Sequence, residues 1–532
     1  MMKSSISVLT VVLAAAATAV VAAAPSVRLS GSNTVYEGVH IPSFDQEAFL
    51  GVPYASQPVR FTPSRLLVPG TGRVSARTYG TSCPAYGSAT TEQVTAGIIT
   101  LGEDCLNLNV VRPTGENGPL PVAVWIYGGG WQQGSAADLK YNLSHIVQQS
   151  VEMGKPMIGV SINYRTAGFG FLYSQEVQNS GNANLGLKDQ RVALQWIQKY
   201  IHAFGGDPKK VTIWGESAGA YSIGNHLLAY GGRDDGLFRG AILQSGTAVG
   251  PPLNDTRWYQ PIYNRVTAAT GCADAIDTLD CLRNLPYATL YPALNVGVEW
   301  FAAVDGDMIG GWGSAGTNAG RFIKVPLLLG SNTDEGTSFG VSGVNSDADA
   351  VAQLISSKRW VLTPVQASKL LTFYPDDPIV GSPYGTGSRT FPALGAQYKR
   401  YSSMAGDLTM DAPRRQLAQA AAKYSAVFSY RFDTPPPNST EKVGIGHGAE
   451  VPFVFADPTA SLGNGTAVNA LARKMARLWV AFVVDGRPAE EAAWPRYRNE
   501  RPRNLVLRAD RSYTEEDTYR REGMAYINSL LR

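Results

Sequence analysis

The sequence is 532 residues long, 44% hydrophobic and 17% charged, with 46 Lys and Arg against 43 Asp and Glu. This composition is too apolar for a disordered chain and supplies enough side chains for a substantial core. The net charge of +3 is small for the length, and no run of basic residues is long enough to form a nucleic-acid patch. Nucleic acid is therefore excluded as an expected partner.

The N-terminus has the features of a secretory signal peptide. Lys3 precedes an apolar run over 6–24 that is rich in small residues, and the chain turns polar at Arg28. An uncleaved membrane anchor is the alternative, because the run is near the length that spans a bilayer. The small residues favour cleavage. We expect a signal peptide at 1–24, one domain at 25–532, and a secreted, extracellular protein without a stable membrane anchor.

Four cysteines and four glycosylation sequons agree with export. An even number of cysteines permits two disulfides, and the short spacings from Cys83 to Cys105 and from Cys272 to Cys281 favour two local loops. Free buried thiols are the alternative. The sequons are short patterns that also arise by chance. The predicted glycosylation sites are Asn142, Asn254, Asn438 and Asn464.

Short runs rich in Val and Ile alternate with longer helical or loop segments along the chain. This pattern is typical of a mainly parallel sheet with helices on both faces. Apolar residues recur every three or four positions over 187–204 and 470–484, which predicts two helices. Ligands bind beyond the carboxyl ends of parallel strands, so residues just after the runs are site candidates. The predicted strands cover 122–127, 157–163, 211–214, 240–244, 325–330 and 426–432.

The segment Gly-Glu-Ser-Ala-Gly at 215–219 directly follows a predicted strand and precedes a helical segment over 218–230. By itself, a G-x-S-x-G pentapeptide is a weak signal, and a plain glycine turn is the favoured interpretation of it. The strand, turn and helix context is the one that a nucleophile elbow requires, because a serine on a strained bend needs neighbours without a Cβ. Ser217 is therefore the candidate nucleophile.

A serine hydroxyl needs an adjacent base, which is itself oriented by a carboxylate. In this fold class the order along the chain is Ser, acid, His, and only His447, in a glycine-rich stretch at 444–448, follows far enough. A neutral imidazole is required, so kcat/KM is expected to fall as the pH drops through about 6 to 7. The other histidines are interpreted as surface or structural imidazoles: His40, His145, His202 and His226.

Two carboxylates follow the predicted strand 325–330 and lie between the serine and the histidine in sequence. Either Asp334 or Glu335 is placed to orient the imidazole of His447 and to stabilise its charged form. The properties of these residues do not distinguish the two. At this point the sequence leaves both open as the acid.

The segment Tyr-Gly-Gly-Gly-Trp at 127–131 follows the predicted strand 122–127. Consecutive glycines let backbone N–H groups approach a substrate oxygen closely, and the N–H of Ala218 after the nucleophile joins them. A simple glycine turn is the alternative. Trp131 and Phe339 are candidate pocket-wall residues, although core packing is the more common role of such aromatics. We expect an oxyanion hole at this loop.

Together these segments resemble the type B carboxylesterase and lipase family, which includes cholinesterases, fungal extracellular lipases and sterol esterases. Glu-Asp-Cys-Leu-Asn-Leu-Asn at 103–109 is similar to the family's second signature, and 204–219 is similar to its serine signature. The segments 334–336 and 447–450 are similar to its acid and histidine regions. The resemblance extends over nearly the whole chain after the leader.

The resemblance implies an α/β-hydrolase fold, with a large, mostly parallel central sheet, helices on both faces and insertions over the site. It also implies that Glu335 is the acid. No metal or organic cofactor is expected, because the sequence has no Cys and His cluster of zinc spacing and no suitable phosphate-binding loop. The resemblance further implies an oxyanion hole of Gly129, Gly130 and Ala218, and disulfides from Cys83 to Cys105 and from Cys272 to Cys281.

The resemblance implies hydrolysis of a small-molecule or lipid ester through an acyl-enzyme on Ser217. A true triacylglycerol or sterol-ester lipase with interfacial activity is the alternative. The loop between Cys83 and Cys105 is short for a lid, which favours soluble esters, whereas the apolar stretch 94–101 is suited either to lipid contact or to packing. A non-catalytic adhesion-type member is a remote alternative, because all three catalytic positions are filled. The sequence does not predict the oligomeric state.

Overall fold

The structure, a computed structural model, describes residues 24–530 except 117, 298–299, 357–359, 361, 458–461, 463–464 and 490–492. The predicted signal peptide, apart from Ala24, lies outside the described residues, as does the predicted glycosylation site Asn464. No helix within the described ranges has both the length and the apolar character needed to cross a membrane.

Most strands belong to one large sheet that organises the molecule. The remaining three, β1, β2 and β5, form a small separate sheet near the N-terminus. The strands in the described ranges are β1 (Ser26–Arg28), β2 (Asn33–Glu37), β3 (Val39–Ile41), β4 (Gln46–Pro53), β5 (Thr71–Ser75), β6 (Asn107–Pro113), β7 (Leu120–Ile126), β8 (Ile158–Ile162), β9 (Gly206–Glu216), β10 (Gly240–Gln244), β11 (Leu327–Asn332), β12 (Val427–Phe432), β13 (Arg503–Leu507) and β14 (Tyr513–Glu516).

Helices connect the strands and cover both sides of the large sheet. A π-helical turn at Asp407–Asp411 joins the helices on either side of it. The α-helices in the described ranges are α1 (Ser88–Thr95), α2 (Leu143–Glu152), α3 (Ala167–Phe171), α4 (Gln175–Ser180), α5 (Leu185–Tyr200), α6 (Ala218–Gly232), α7 (Thr256–Ala269), α8 (Thr278–Asn284), α9 (Tyr287–Leu294), α10 (Gly313–Asn318), α11 (Asp347–Ser356), α12 (Pro364–Leu371), α13 (Tyr398–Gly406), α14 (Ala412–Ala421), α15 (Val451–Phe455), α16 (Thr466–Asp485) and α17 (Arg521–Ser529).

The large sheet has eleven strands in the order β14-β13-β12-β11-β10-β9-β7-β8-β6-β4-β3. The strands from β13 to β8 are parallel to their neighbours, and antiparallel strands extend the sheet at both ends. Every residue of β8, β10 and β11 is buried, as expected for parallel strands with helices on both faces. The predicted mostly parallel sheet is present, and its carboxyl edge is where reactive side chains are expected.

The predicted strand segments all coincide with strands, but their lengths differ. The segment 240–244 matches β10, whereas β9 begins five residues before its predicted start at 211, because Gly206 pairs with Leu120 of β7. The predicted segment 325–330 starts and ends before the strand itself, which is β11 (Leu327–Asn332). β11 continues to Asn332 because that residue still pairs with Phe432 of β12. The ends of these strands therefore depend on pairing with other strands, which the local hydrophobic pattern does not show.

The predicted helices are present with small differences. The segment 187–204 divides into α5 and a 3-10 turn at Ile201–Phe204, and 470–484 lies within α16. The helix predicted over 218–230 is irregular at its end, because Tyr230 and Gly231 have positive φ angles of 53° and 74°. The N–H of Tyr230 donates to Met308 O instead of continuing the helix.

Both predicted disulfides are present, one between Cys83 and Cys105 and the other between Cys272 and Cys281. Glycosylation itself stays a prediction, and the described asparagines differ in exposure. Asn254 is only 7% exposed, which disfavours a glycan there. Asn142 is half-buried and its side chain caps α2, whereas Asn438 is exposed. Asn438 is the best presented of the three.

Candidate active site

Ser217 lies on a tight bend between β9 and α6. Its φ of 54° and ψ of −122° are strained for a residue with a side chain, as a nucleophile elbow requires. The neighbouring glycines make the bend sterically feasible. A Cβ on Gly219 would lie 2.0 Å from Ile126 O, and one on Gly215 would lie 2.7 Å from the carbonyl carbon of Gly219.

Three side chains from the ends of neighbouring parallel strands form a hydrogen-bonded chain. The Oγ of Ser217, after β9, lies 2.7 Å from Nε2 of His447, which lies in the loop after β12. The Nδ1 of the same imidazole lies 2.7 Å from Oε2 of Glu335, after β11. Since the carboxyl ends of these strands share one edge of the sheet, residues far apart in sequence meet there.

Glu335 is held rigidly behind the imidazole. Its carboxylate is 1% exposed, and its Oε1 accepts hydrogen bonds from the Asn332 N–H at 2.8 Å and from the Ser245 hydroxyl. The other oxygen, Oε2, faces His447. The bonds to Oε1 fix the orientation of the carboxylate, with Oε2 directed toward Nδ1.

Asp334, the other carboxylate that the sequence left open, is turned away from the imidazole. It accepts hydrogen bonds from the N–H groups of Ile445 at 2.9 Å and Tyr384 at 2.7 Å, and from the Ser382 hydroxyl at 3.0 Å. Burial raises its pKa, and these hydrogen bonds oppose the rise. Asp334 therefore ties together loops beside the site without contacting His447 in this arrangement.

Two further glutamates act on the charge of the imidazole, and neither was predicted from the sequence to have a role. Glu216, beside the serine, has Oε1 3.3 Å from Nε2 of His447. Glu450 accepts hydrogen bonds from Gln244 at 2.9 Å and Asn332 at 2.7 Å. Glu216 lies in the serine segment 215–219, and Glu450 lies in the histidine segment 447–450. Their proximity to a residue of opposite charge only becomes visible in three dimensions.

These carboxylates determine the protonation of the site. Burial lowers the pKa of His447, but the negative charges of Glu216 and Glu335 outweigh it and raise the value to about 9. Burial raises the pKa of Glu216 to about 7, with His447 opposing the rise. Burial and the charge of Glu335 also raise the pKa of Glu450. The carboxylates around His447 therefore stabilise its imidazolium form.

The glycine loop lies against the nucleophile. A Cβ on Gly128 would lie 2.9 Å from Cβ of Ser217, so only glycine permits this approach. Gly129 and Gly130 follow with positive φ angles of 96° and 65°. No described residue accepts a hydrogen bond from the backbone N–H of Gly129, Gly130 or Ala218. These three donors are available to a substrate oxygen.

The remaining histidines lie in other surroundings. His226 is buried beside Gln190, and burial lowers its pKa to about 3, so it is neutral. The others contact side chains elsewhere: His40 the exposed Asp45, His145 the buried Asp457, and His202 the exposed Ser30. Within the described ranges, no group of three or more His, Cys, Asp or Glu residues is arranged to hold a metal ion.

Comparison with known proteins identifies the family. Residues 23–526 match the model of the carboxylesterase family. The chain belongs to this family. This chain is 35% identical to the secreted lipase 1 of Botryotinia fuckeliana, over 90% of its length and 88% of that protein. It is 32% identical to the secreted triacylglycerol lipase LIP1 of Gibberella zeae, over 90% of this chain and 87% of that protein.

The three-dimensional comparison agrees. The crystal structure of Aspergillus niger EstA superimposes on this structure with a TM-score of 0.81 and 29% identity, covering 96% of this chain and 98% of that one. The predicted α/β-hydrolase fold and the predicted family are both confirmed. Membership and the lipase relatives make the protein a carboxylic ester hydrolase.

The predicted pocket-wall aromatics and the apolar residues of the disulfide loop differ in burial. Trp131 is fully buried and stacks on Phe171 with ring centroids 5.2 Å apart, so it belongs to the core. Phe339 is half-buried, with its ring 5.0 Å from the imidazole ring of His447. In the loop between Cys83 and Cys105, Val94 and Ile98 are each about two-fifths exposed, at 41% and 40%.

Proposed function

We propose that the protein is a secreted serine carboxylesterase that hydrolyses esters through an acyl-enzyme on Ser217. The observation that carries the proposal is the unbroken hydrogen-bonded chain from Ser217 through His447 to Glu335, with distances of 2.7 Å at both links. Such a chain is what a serine needs to become nucleophilic at neutral pH. The nearby N–H groups of the glycine loop support the same reaction.

Acylation begins when neutral His447 takes the proton of Ser217 as Oγ attacks the ester carbonyl. The carbonyl oxygen becomes an oxyanion and accepts hydrogen bonds from the N–H groups of Gly129, Gly130 and Ala218. Glu335 keeps the proton of the imidazole on Nδ1 and stabilises the imidazolium that forms. The C=O bond then reforms as the bond from the carbonyl carbon to the alkoxy oxygen breaks, and His447 gives its proton to that oxygen. The alcohol leaves, and the acyl group stays on Ser217.

Deacylation repeats these steps with water. His447 removes a proton from water, which attacks the acyl carbonyl, and the same three N–H groups bind the second oxyanion. The imidazolium protonates Oγ of Ser217 as the carboxylic acid leaves. The serine and the imidazole return to their starting forms, and no other reactant is consumed.

The extracellular location is part of the proposal. The signal peptide expected at 1–24 and the secreted lipases among the relatives support it, and 25–532 is the proposed mature domain. N-terminal sequencing of protein recovered from the culture medium should begin near residue 25. An N-terminus at Met1 on membrane-bound protein would contradict secretion.

Labelling with an organophosphate tests the nucleophile. One phosphoryl group per chain is expected on the peptide containing Ser217, accompanied by complete loss of esterase activity, because the activated hydroxyl reacts with phosphorus esters as with carbonyl esters. The Ser217→Ala variant should take up none. Ser150→Ala is the matched control, since it also removes a buried hydroxyl, one that donates to Val147 O on α2, and it should still be labelled. Label on any other serine would contradict the proposal.

A triacylglycerol lipase is the second candidate, favoured by the names of the relatives and by Val94 and Ile98, which are partly exposed in the short loop between Cys83 and Cys105. The absence of a long loop between Cys83 and Cys105 favours shorter, soluble esters. We expect kcat/KM for nitrophenyl esters to be highest for short acyl chains, with little rise on a triglyceride emulsion. A steep increase in rate above the solubility limit of the substrate would assign the protein to the lipases instead.

A further inference from the structure

A buried chain of side-chain hydrogen bonds runs beneath the glycine loop. The indole N–H of Trp131 donates to Oγ of Ser222 at 2.9 Å, and Nε2 of Gln190 donates to the same oxygen at 3.0 Å. The Nε2 of His226 lies 2.8 Å from Oε1 of Gln190. Trp131, Gln190, Ser222 and His226 are all completely buried, which is unusual for four polar groups.

The protonation of these groups determines which of them donates and which accepts in each hydrogen bond. His226 is neutral, and its Nδ1 is buried without a partner, so its proton is on Nε2 and is donated to Gln190. The amide of Gln190 can then only present its NH2 group to Ser222. The hydroxyl of Ser222 has one proton, which it donates to the carbonyl oxygen of Ala218 at 2.8 Å. All the bonding capacity of that hydroxyl is used.

This hydroxyl connects the two sides of the proposed oxyanion hole. Ser222 is one turn after Ala218 on α6, whereas Trp131 directly follows Gly129 and Gly130. Trp131 has a φ of 61°, in a region that large side chains rarely adopt, so the loop needs external restraint. The indole bond to Ser222 and the carbonyl bond from the Ala167 N–H, at 2.6 Å, supply it.

We propose that Ser222 and Gln190 are positioning residues, which act through Trp131 to hold the N–H groups of Gly129 and Gly130 at a fixed distance from that of Ala218. The inference rests on the proposed oxyanion hole. Donors to an oxyanion lose much of their effect when displaced by a fraction of an ångström to one ångström. Breaking the chain therefore weakens binding of the transition state and leaves binding of the ester ground state nearly unchanged.

The test compares two buried tryptophans. Trp131→Phe removes the indole N–H that bonds to Ser222, whereas Trp494→Phe removes one that donates to Ser429 O at 3.0 Å, and both side chains are fully buried. Trp131→Phe should lower kcat/KM by about 10- to 100-fold with a KM within about threefold of the wild type. Trp494→Phe should keep kcat/KM within about twofold, with a comparable fall in Tm.

An inhibitor pair separates positioning from general loosening. A trifluoromethyl ketone adds to the serine and forms an oxyanion, so its inhibition constant should rise by the same factor as kcat/KM falls. The matched methyl ketone, which remains a ketone, should bind almost equally to both proteins. If Trp131→Phe does not fold, Gln190→Met provides the same reading, because it removes the second donor to Ser222 while keeping the side-chain volume.

A double variant adds an independent check. Trp131→Phe combined with Ser222→Ala should cost less than the sum of the single effects, since both break the same chain. The inference is overturned if Trp131→Phe and Gln190→Met keep kcat/KM within twofold, or if Trp494→Phe loses as much. In either case, activity that still requires Ser217 would leave the proposed reaction intact, whereas activity retained by Ser217→Ala would remove the reaction itself.

Discussion

Glu335→Gln is expected to lower kcat by about four orders of magnitude while the protein stays folded. The carboxylate Oε2 lies 2.7 Å from Nδ1 of His447. A glutamine at this position can donate to Nδ1, which moves the imidazole proton to Nε2. A protonated Nε2 can no longer accept the proton of Ser217. It also removes the negative charge that stabilises the imidazolium. Steady-state rates with a nitrophenyl ester measure the loss, and urea unfolding checks the fold.

Asp334→Asn is the matched control, because it alters the neighbouring buried carboxylate in the same way. Its side chain accepts hydrogen bonds from Ile445, Tyr384 and Ser382 and makes none with His447. We expect a loss of about 1 to 3 kcal/mol in the free energy of unfolding and a kcat within a few-fold of the wild type. An inactive Asp334→Asn beside an active Glu335→Gln would reverse the assignment of the acid.

The sheet was predictable from the sequence where its strands are buried on both faces. Such strands are continuous apolar runs, so β7 to β12 were all located. The strands toward the two ends of the large sheet, β3, β4, β6, β13 and β14, were not among the predicted segments. β14 has no fully buried residue, and its identity as a strand depends on pairing with β13. Pairing of this kind involves a distant part of the chain and leaves little local pattern.

The site was predictable to the extent that each group lies in a distinctive local segment. The bend at Ser217 and the glycine loop both contain close contacts that only glycine permits, and glycines can be read directly from the sequence. The choice between Asp334 and Glu335 needed the family resemblance. The closeness of Glu216 to His447 could not be predicted, because it depends on how the loop after β12 folds over the end of β9.

Activity should decrease toward acid at a higher pH than an ordinary histidine would give. His447 accepts a proton only when neutral, so a raised pKa means that kcat/KM is lost as the pH falls through that raised value. The sequence alone placed this decrease at about pH 6 to 7. Glu216, whose pKa is about 7, is ionised at the pKa of His447, which is about 9, so we expect the midpoint of the decrease near pH 9. Rates from pH 5 to 10 in buffers of constant ionic strength measure it.

Glu216→Gln should move this decrease to lower pH by at least about one unit. The substitution keeps the shape of the side chain and removes the negative charge 3.3 Å from Nε2, which is the larger of the two main charges that raise the pKa of His447. Glu450→Gln is the comparison, because Glu450 contributes least among these carboxylates and should shift the profile less. A wild-type midpoint between pH 6 and 7 that Glu216→Gln does not change would show that the carboxylate has no hold on the imidazole. The pKa of His447 would then be that of an ordinary histidine, and the side chain of Glu216 would have a structural role only.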